Sequence, residues 1–310
     1  MLFRCFTIAI AAIALTSPLH AQEPTFTRTE DVIYGRKYGV ALTMDVFTPK
    51  EKANGRGIIL CVSGGWFSSK ENVNPGVAKV FVDRGYVVFA VVHGSQPKFT
   101  IPEVVEDMHR AVRFIHYNAK KYKVDPDKLG IAGGSAGGHL SLMQGTAFTD
   151  GDPKAGDPVD RESSRVSAVA CFFPPTDFLN YGKEGEFVIS TNTLAIFKAP
   201  FDFHYFDKKA GLFVAITDEA KRKEIAKQIS PVYHVKKNSA PALIIHGDAD
   251  KLVPIQQAEL IMAQYKEFGV PCELVVKKGA DHGWIGMEKD LKTFGDWFDK
   301  YLTKKEDAEK

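Results

Sequence analysis

Cysteine is scarce in this chain. Four occur in 310 residues, and Cys5 sits in an N-terminal stretch that reads as removable. The other three, Cys61, Cys171 and Cys272, are odd in number, and each falls in an apolar, strand-like run. That excludes a disulfide framework as the basis of the fold and makes them small buried hydrophobes, with at most one pairing if two of the strands are neighbours. An excess of one charge is also missing. Forty Lys and Arg against 38 Asp and Glu leave a formal net charge of +2, so neither nucleic acid nor an anionic surface is implied as a partner. Beyond the first residues no apolar run is long enough to span a bilayer, and no internal repeat or low-complexity stretch interrupts the chain.

What is present begins with a leader. Met1-Leu2-Phe3-Arg4 carries one positive charge, residues 6–15 are apolar, and Ser17-Pro18 precedes a cleavage site at Leu19-His20-Ala21. The apolar part is too short for a membrane span and suits a secretory signal. The expectation is a signal peptide over 1–21 and an exported protein over 22–310, secreted or periplasmic, without a membrane anchor. Cys5 lies before the apolar region and is a poor lipoprotein anchor.

The rest alternates strands and helices. Strands are predicted at 40–47, 57–62, 86–92, 129–132, 166–173, 242–246 and 272–276. Helices are predicted at 75–84, 101–122, 135–148, 255–268 and 288–302. Most of the strands are continuous apolar runs, as strands buried on both faces must be. Repeated alternation predicts an α/β fold, a mostly parallel sheet with helices on both faces. One segment, about 174–229, breaks the pattern. It is rich in aromatics (Phe178, Tyr181, Phe187, Phe197, Phe201, Phe203, Tyr205, Phe206, Phe213) and too long for a structureless loop, so it is read as a cap inserted over the sheet.

Gly133-Gly134-Ser135-Ala136-Gly137 reads G-x-S-x-G between a short apolar run and a helix-like segment. A serine on such a strand-to-helix turn projects its hydroxyl away from the sheet, beside the free N–H groups of a helix start. That is the placement an acyl-transfer nucleophile needs. A catalytic serine also needs a base, and the base an orienting acid. Of nine histidines, His282 stands out in the Gly-flanked loop Gly279-Ala280-Asp281-His282-Gly283-Trp284 after the last strand. His246 ends a strand and reads as packing; His93, His204 and His234 have no special context. The preceding strand runs into Asp248-Ala249-Asp250, which offers two candidate acids. The order Ser, Asp, His is the one used on an α/β-hydrolase sheet. The oxyanion would be held by the Ala136 N–H and by a donor from Ser63-Gly64-Gly65-Trp66, whose glycines allow close backbone approach.

These residues carry a resemblance. Gly134-Ser135-Ala136-Gly137-Gly138-His139-Leu140 resembles the nucleophile elbow of the alpha/beta hydrolases related to hormone-sensitive lipase and to bacterial feruloyl and acetyl-xylan esterases. His246-Gly247, Asp250 and Val253-Pro254 are similar to that superfamily's acid loop, which selects Asp250. Asp281-His282-Gly283 resembles its histidine loop, and Pro174-Pro175-Thr176-Asp177 looks like a further shared feature that is structural or lines the pocket. The chain departs at the oxyanion loop, where Val62-Ser63 replaces the first two residues of the usual His-Gly-Gly-Gly, leaving Gly64, Gly65 or Trp66 as donor. The resemblance implies a serine esterase with Ser135, Asp250 and His282 catalytic, Gly64, Gly65 and Ala136 at the oxyanion, Trp66 and Trp284 at the substrate, and no metal or organic cofactor. Its substrate would be a small-molecule or polysaccharide-linked ester carrying a short acyl or feruloyl group. A serine exopeptidase of the same fold and a non-catalytic ligand-binding member are the competing expectations. Oligomeric state is left open.

Overall fold

The computed structural model describes residues 24–303 apart from 191–193 and 195. The expected signal segment 1–21 and the charged end 304–310 lie outside the described residues. Eight strands form one sheet in the order β1-β2-β4-β3-β5-β6-β9-β10. Its centre is β3 (Gly57–Cys61), β4 (Val87–Val92), β5 (Leu129–Gly134), β6 (Ala168–Phe172) and β9 (Ala242–Gly247). β3, β6 and β9 are buried at every residue, as continuous apolar runs require. From β4 to β10 (Cys272–Lys277) all pairings are parallel, whereas β1 (Phe26–Lys37) and β2 (Val40–Pro49) join antiparallel at one edge.

Two cores form, one on each face. On one face α1 (Pro75–Val82) and α7 (Met287–Leu302) bury Phe81, Phe294, Trp297 and Phe298 against the sheet. On the other, α2 (Ile101–Tyr117), α4 (Ala136–Thr146) and α6 (Gln256–Glu267) bury Met108, Leu140 and Ile261. The helix expected over 101–122 is split at Asn118, whose side-chain amide donates to the Phe114 carbonyl (2.8 Å), and the remainder is a short turn of helix, α3 (Ala119–Tyr122). α5 (Glu219–Gln228) lies within the segment expected as a cap. The described residues of that segment also form two 3₁₀ turns and a hairpin of β7 (His204–Asp207) with β8 (Leu212–Ala215). Phe178, Tyr181, Phe201 and Phe203 are buried with the α2/α4 face, while Tyr205, Phe206 and Phe213 stay exposed on the hairpin.

Cys61, Cys171 and Cys272 are free thiols on β3, β6 and β10. β1 was not foreseen, because nearly all its side chains face water or are only half covered, and little apolar periodicity marks it.

Candidate active site

Strand β5 runs directly into α4 with Ser135 as the hinge. Its φ of 54° and ψ of −121° place a non-glycine residue in a region that costs on the order of 1–3 kcal/mol and persists only when surroundings impose it. The surroundings are tight. A Cβ on Gly137 would lie 2.8 Å from the Cys61 carbonyl oxygen, and one on Gly138 the same distance from that of Phe172. The glycines let α4 sit down on β3 and β6. The Ser135 N–H donates to the Phe172 carbonyl (3.0 Å), which ties the turn to the neighbouring strand.

The three residues expected as a triad come together. Ser135 Oγ lies 3.0 Å from His282 Nε2, and His282 Nδ1 lies 2.7 Å from Asp250 Oδ2. Asp250 is anchored on its other oxygen, which accepts the N–H groups of Leu252 (2.9 Å) and Val253 (2.8 Å). Burial raises its carboxyl pKa, but hydrogen bonds from His246, His282 and the Val253 N–H outweigh that and hold it well below the usual carboxylate range. His246, expected to do packing only, also approaches Asp250 Oδ2 (3.4 Å). Asp248 takes another role: its side chain accepts the Gly279 N–H (2.5 Å) and pins the histidine loop from outside. The Phe173 ring lies 4.2 Å from the His282 ring, centroid to centroid, and backs it.

The oxyanion donors divide differently from expectation. Ala136 opens α4, where N–H groups have no helical acceptor. The opposing loop is a two-residue hairpin: Gly64 and Phe67 exchange both backbone hydrogen bonds (3.0 and 2.9 Å), with Gly65 (φ 56°) and Trp66 (φ 59°) at its tip. The Gly64 N–H is therefore spent on Phe67, which corrects its assignment as a donor; the N–H of Gly65 has no acceptor among the described residues.

Trp66 is a second correction. The turn sends its ring inward, leaving it 2% exposed, and its Nε1–H donates to His139 Nδ1 (3.2 Å). His139 in turn donates from Nε2 to the Ile229 carbonyl (2.7 Å). Trp66 thus locks the oxyanion loop to α4 and to the 174–229 segment instead of meeting substrate. His139 was missed as a positioning residue, although its place one turn after Ser135 was a signal. Trp284 does face the site: its Nε1–H donates to Asp290 (2.7 Å), and with Ser63, Gly64, Ser135, Phe172, Phe173 and Met287 it lines a cavity of about 770 Å³. Pro174-Pro175-Thr176-Asp177 is packed away, with the Thr176 and Asp177 N–H groups bonded to Gln257 Oε1 (2.8 and 2.7 Å).

A family model described as BD-FAE matches residues 44–265. Probable carboxylic ester hydrolase LipM of Mycobacterium tuberculosis is 26% identical over 241 residues, 76% of this chain and 51% of that protein. The chain spans about half the length of the curated relatives it matches. Among solved structures, a truncated carbohydrate esterase from gut microbiota is similar with a TM-score of 0.71 at 25% identity, covering 91% of this chain and 99% of that one. An acetyl ester-xyloside bifunctional hydrolase from Caldicellulosiruptor lactoaceticus has a TM-score of 0.69 at 21% identity, covering 87% and 95%.

Proposed function

The chain belongs to the BD-FAE family and has the alpha/beta-hydrolase fold, and on that premise we propose that it is a serine hydrolase of carboxylic esters carried by carbohydrate, with a short acyl or feruloyl group. The observation that carries the reading is the unbroken line Ser135 Oγ, His282, Asp250, at 3.0 and 2.7 Å, on a strained elbow. His282 Nε2 takes the serine proton as Oγ attacks the ester carbonyl. The carboxylate of Asp250 holds the Nδ1–H, fixes the tautomer and stabilises the imidazolium that forms. The Ala136 and Gly65 N–H groups receive the oxyanion. The imidazolium then protonates the leaving alcohol, and an acyl-enzyme remains. Water activated by His282 releases the acid. The aromatic wall of Phe172, Phe173 and Trp284 suits a flat or short acyl chain.

The test is turnover of p-nitrophenyl acetate, butyrate and octanoate, then of acetylated and feruloylated xylan, with Ser135→Ala in parallel. The wild type should favour acetate among the three, and the variant should lose about 10⁴-fold or more in kcat. Equal turnover by the variant removes the serine mechanism. Preference for a dipeptide anilide over the esters would point to an exopeptidase, and failure to react with a fluorophosphonate to a binding role. Export is part of the proposal and rests on the 1–21 segment; N-terminal sequencing of the exported protein should begin at Gln22.

A further inference from the structure

The cavity in front of Ser135 carries a second hydroxyl on its wall, and groups behind it fix its direction. Ser63 lines the same cavity as Ser135. It lies against the elbow: a Cβ on Gly137 would fall 3.3 Å from the Ser63 carbonyl oxygen. Behind it is His93, only 3% exposed, with Nε2 2.8 Å from Ser63 Oγ and Nδ1 2.8 Å from the Gly94 carbonyl. A carbonyl can only accept, so Nδ1 carries a proton. Burial lowers the ring's pKa to about 4, so near neutral pH the ring is uncharged and Nε2 is bare. Among the described residues the partner left for Nε2 is the hydroxyl proton of Ser63, which must point backward into the protein. The rest of the assembly is fixed as well: the His93 N–H donates to Ser68 Oγ (3.2 Å), and Ser68 Oγ donates to the Val62 carbonyl (2.5 Å).

A hydroxyl whose proton is already committed has only lone pairs to offer the cavity. Most of the surrounding wall is apolar, with Leu60, Val77, Phe172 and Leu291 among its members. Asn74 also borders the cavity, but its side-chain oxygen is occupied capping α1 through Gly76 and Val77. Ser63 is therefore an oriented acceptor beside the nucleophile, and a substrate group that meets it must donate a hydrogen bond.

We propose that Ser63 is a specificity-determining residue that accepts a hydrogen bond from a free substrate hydroxyl next to the scissile ester, so that the enzyme selects partly acylated polyols, such as sugars, over simple esters. This rests on the ester-hydrolase reading above. His93 is a positioning residue that acts through Ser63. No covalent step is assigned to the pair, because the Nδ1–H of His93 faces the Gly94 carbonyl where a catalytic base would have a carboxylate.

The experiment compares kcat/KM for a monoacetylated methyl xyloside bearing a free hydroxyl beside the acetate with that for its deoxy analogue lacking that hydroxyl; p-nitrophenyl acetate serves as the activity check. The wild type should prefer the hydroxylated ester by about tenfold, the span of one well-placed hydrogen bond, and Ser63→Ala should erase the preference. Equal treatment of the two xylosides by the wild type overturns the proposal and needs no variant to fold. A preference that survives in Ser63→Ala overturns it too, even if overall rates fall, since Ser63 would then only support the loop. If the wild type fails on p-nitrophenyl acetate as well, the ester-hydrolase reading falls and this proposal with it.

Discussion

Asp248 and Asp250 share one loop, and only Asp250 reaches His282. The difference is orientation: two N–H donors, from Leu252 and Val253, turn the Asp250 carboxylate inward, while Asp248 is exposed and binds the Gly279 N–H. Asp250→Asn keeps the shape but offers His282 the wrong hydrogen-bond partner, and should lower kcat for p-nitrophenyl acetate by about 10⁴-fold with KM little changed. Asp248→Asn should stay within about threefold of the wild type, because an exposed loop contact is worth little. Comparable losses in the two variants would show that loop order, not proton handling, is being measured. The residue chemistry of the triad was legible in the sequence because each member follows an apolar, strand-like run, largely buried in β5 and β9 and half-buried to exposed in the edge strand β10. The partners of Trp66 were not. Its inward course depends on a left-handed backbone at a tryptophan, imposed by pairing between Gly64 and Phe67, and no local pattern announces it.

At the scale of elements, the elbow works because α4 lies almost on the backbone of two strands. Gly137→Ala would drive a methyl to 2.8 Å from the Cys61 carbonyl oxygen, which cannot move without disturbing β3. α4 would have to lift, carrying the Ala136 N–H and Ser135 with it. We expect a loss of about 1–3 kcal/mol in denaturant stability, the usual cost of overpacking, together with a fall in kcat larger than destabilisation explains at temperatures where the variant is fully folded. Unchanged kcat in folded Gly137→Ala would mean that the elbow tolerates displacement. The glycine spacing that makes this possible is visible in the sequence, as are the buried strands. Elements that bury little were harder to read. β1 pairs through its backbone at the sheet edge with mostly solvated side chains, and the β7/β8 hairpin leaves Tyr205, Phe206 and Phe213 exposed, so neither announces itself by apolar periodicity.

Over the whole molecule, the groups that brace the site also set its response to acid. Burial lowers the pKa of His93, His109 and His139 to about 4. In the unfolded chain a histidine titrates near 6.5, so between these values the unfolded state binds more protons and stability falls as pH falls, by up to about 1.4 kcal/mol per pH unit for each ring. Asp107 acts in the opposite sense. Burial raises its pKa to about 6 despite its ion pair with Lys37 (2.7 Å), so the folded state takes up a proton there before the unfolded state does. Against three histidines it offsets only part of the loss. Asp250, held well below the usual carboxylate range, adds its own loss below about pH 4, where the unfolded carboxylate protonates. The melting temperature should therefore hold above pH 6.5 and drop progressively from there to pH 4. At the site itself the change comes last, near pH 4, where protonating His139 removes the acceptor of the Trp66 Nε1–H and protonating His93 reverses its bond to Ser63. Thermal melts at half-unit steps, paired with tryptophan fluorescence below the melting range, test this. A melting temperature flat from pH 7 to 4.5 would mean that these rings take up protons in place, and the account of a neutral His93 orienting Ser63 would have to be given up with it.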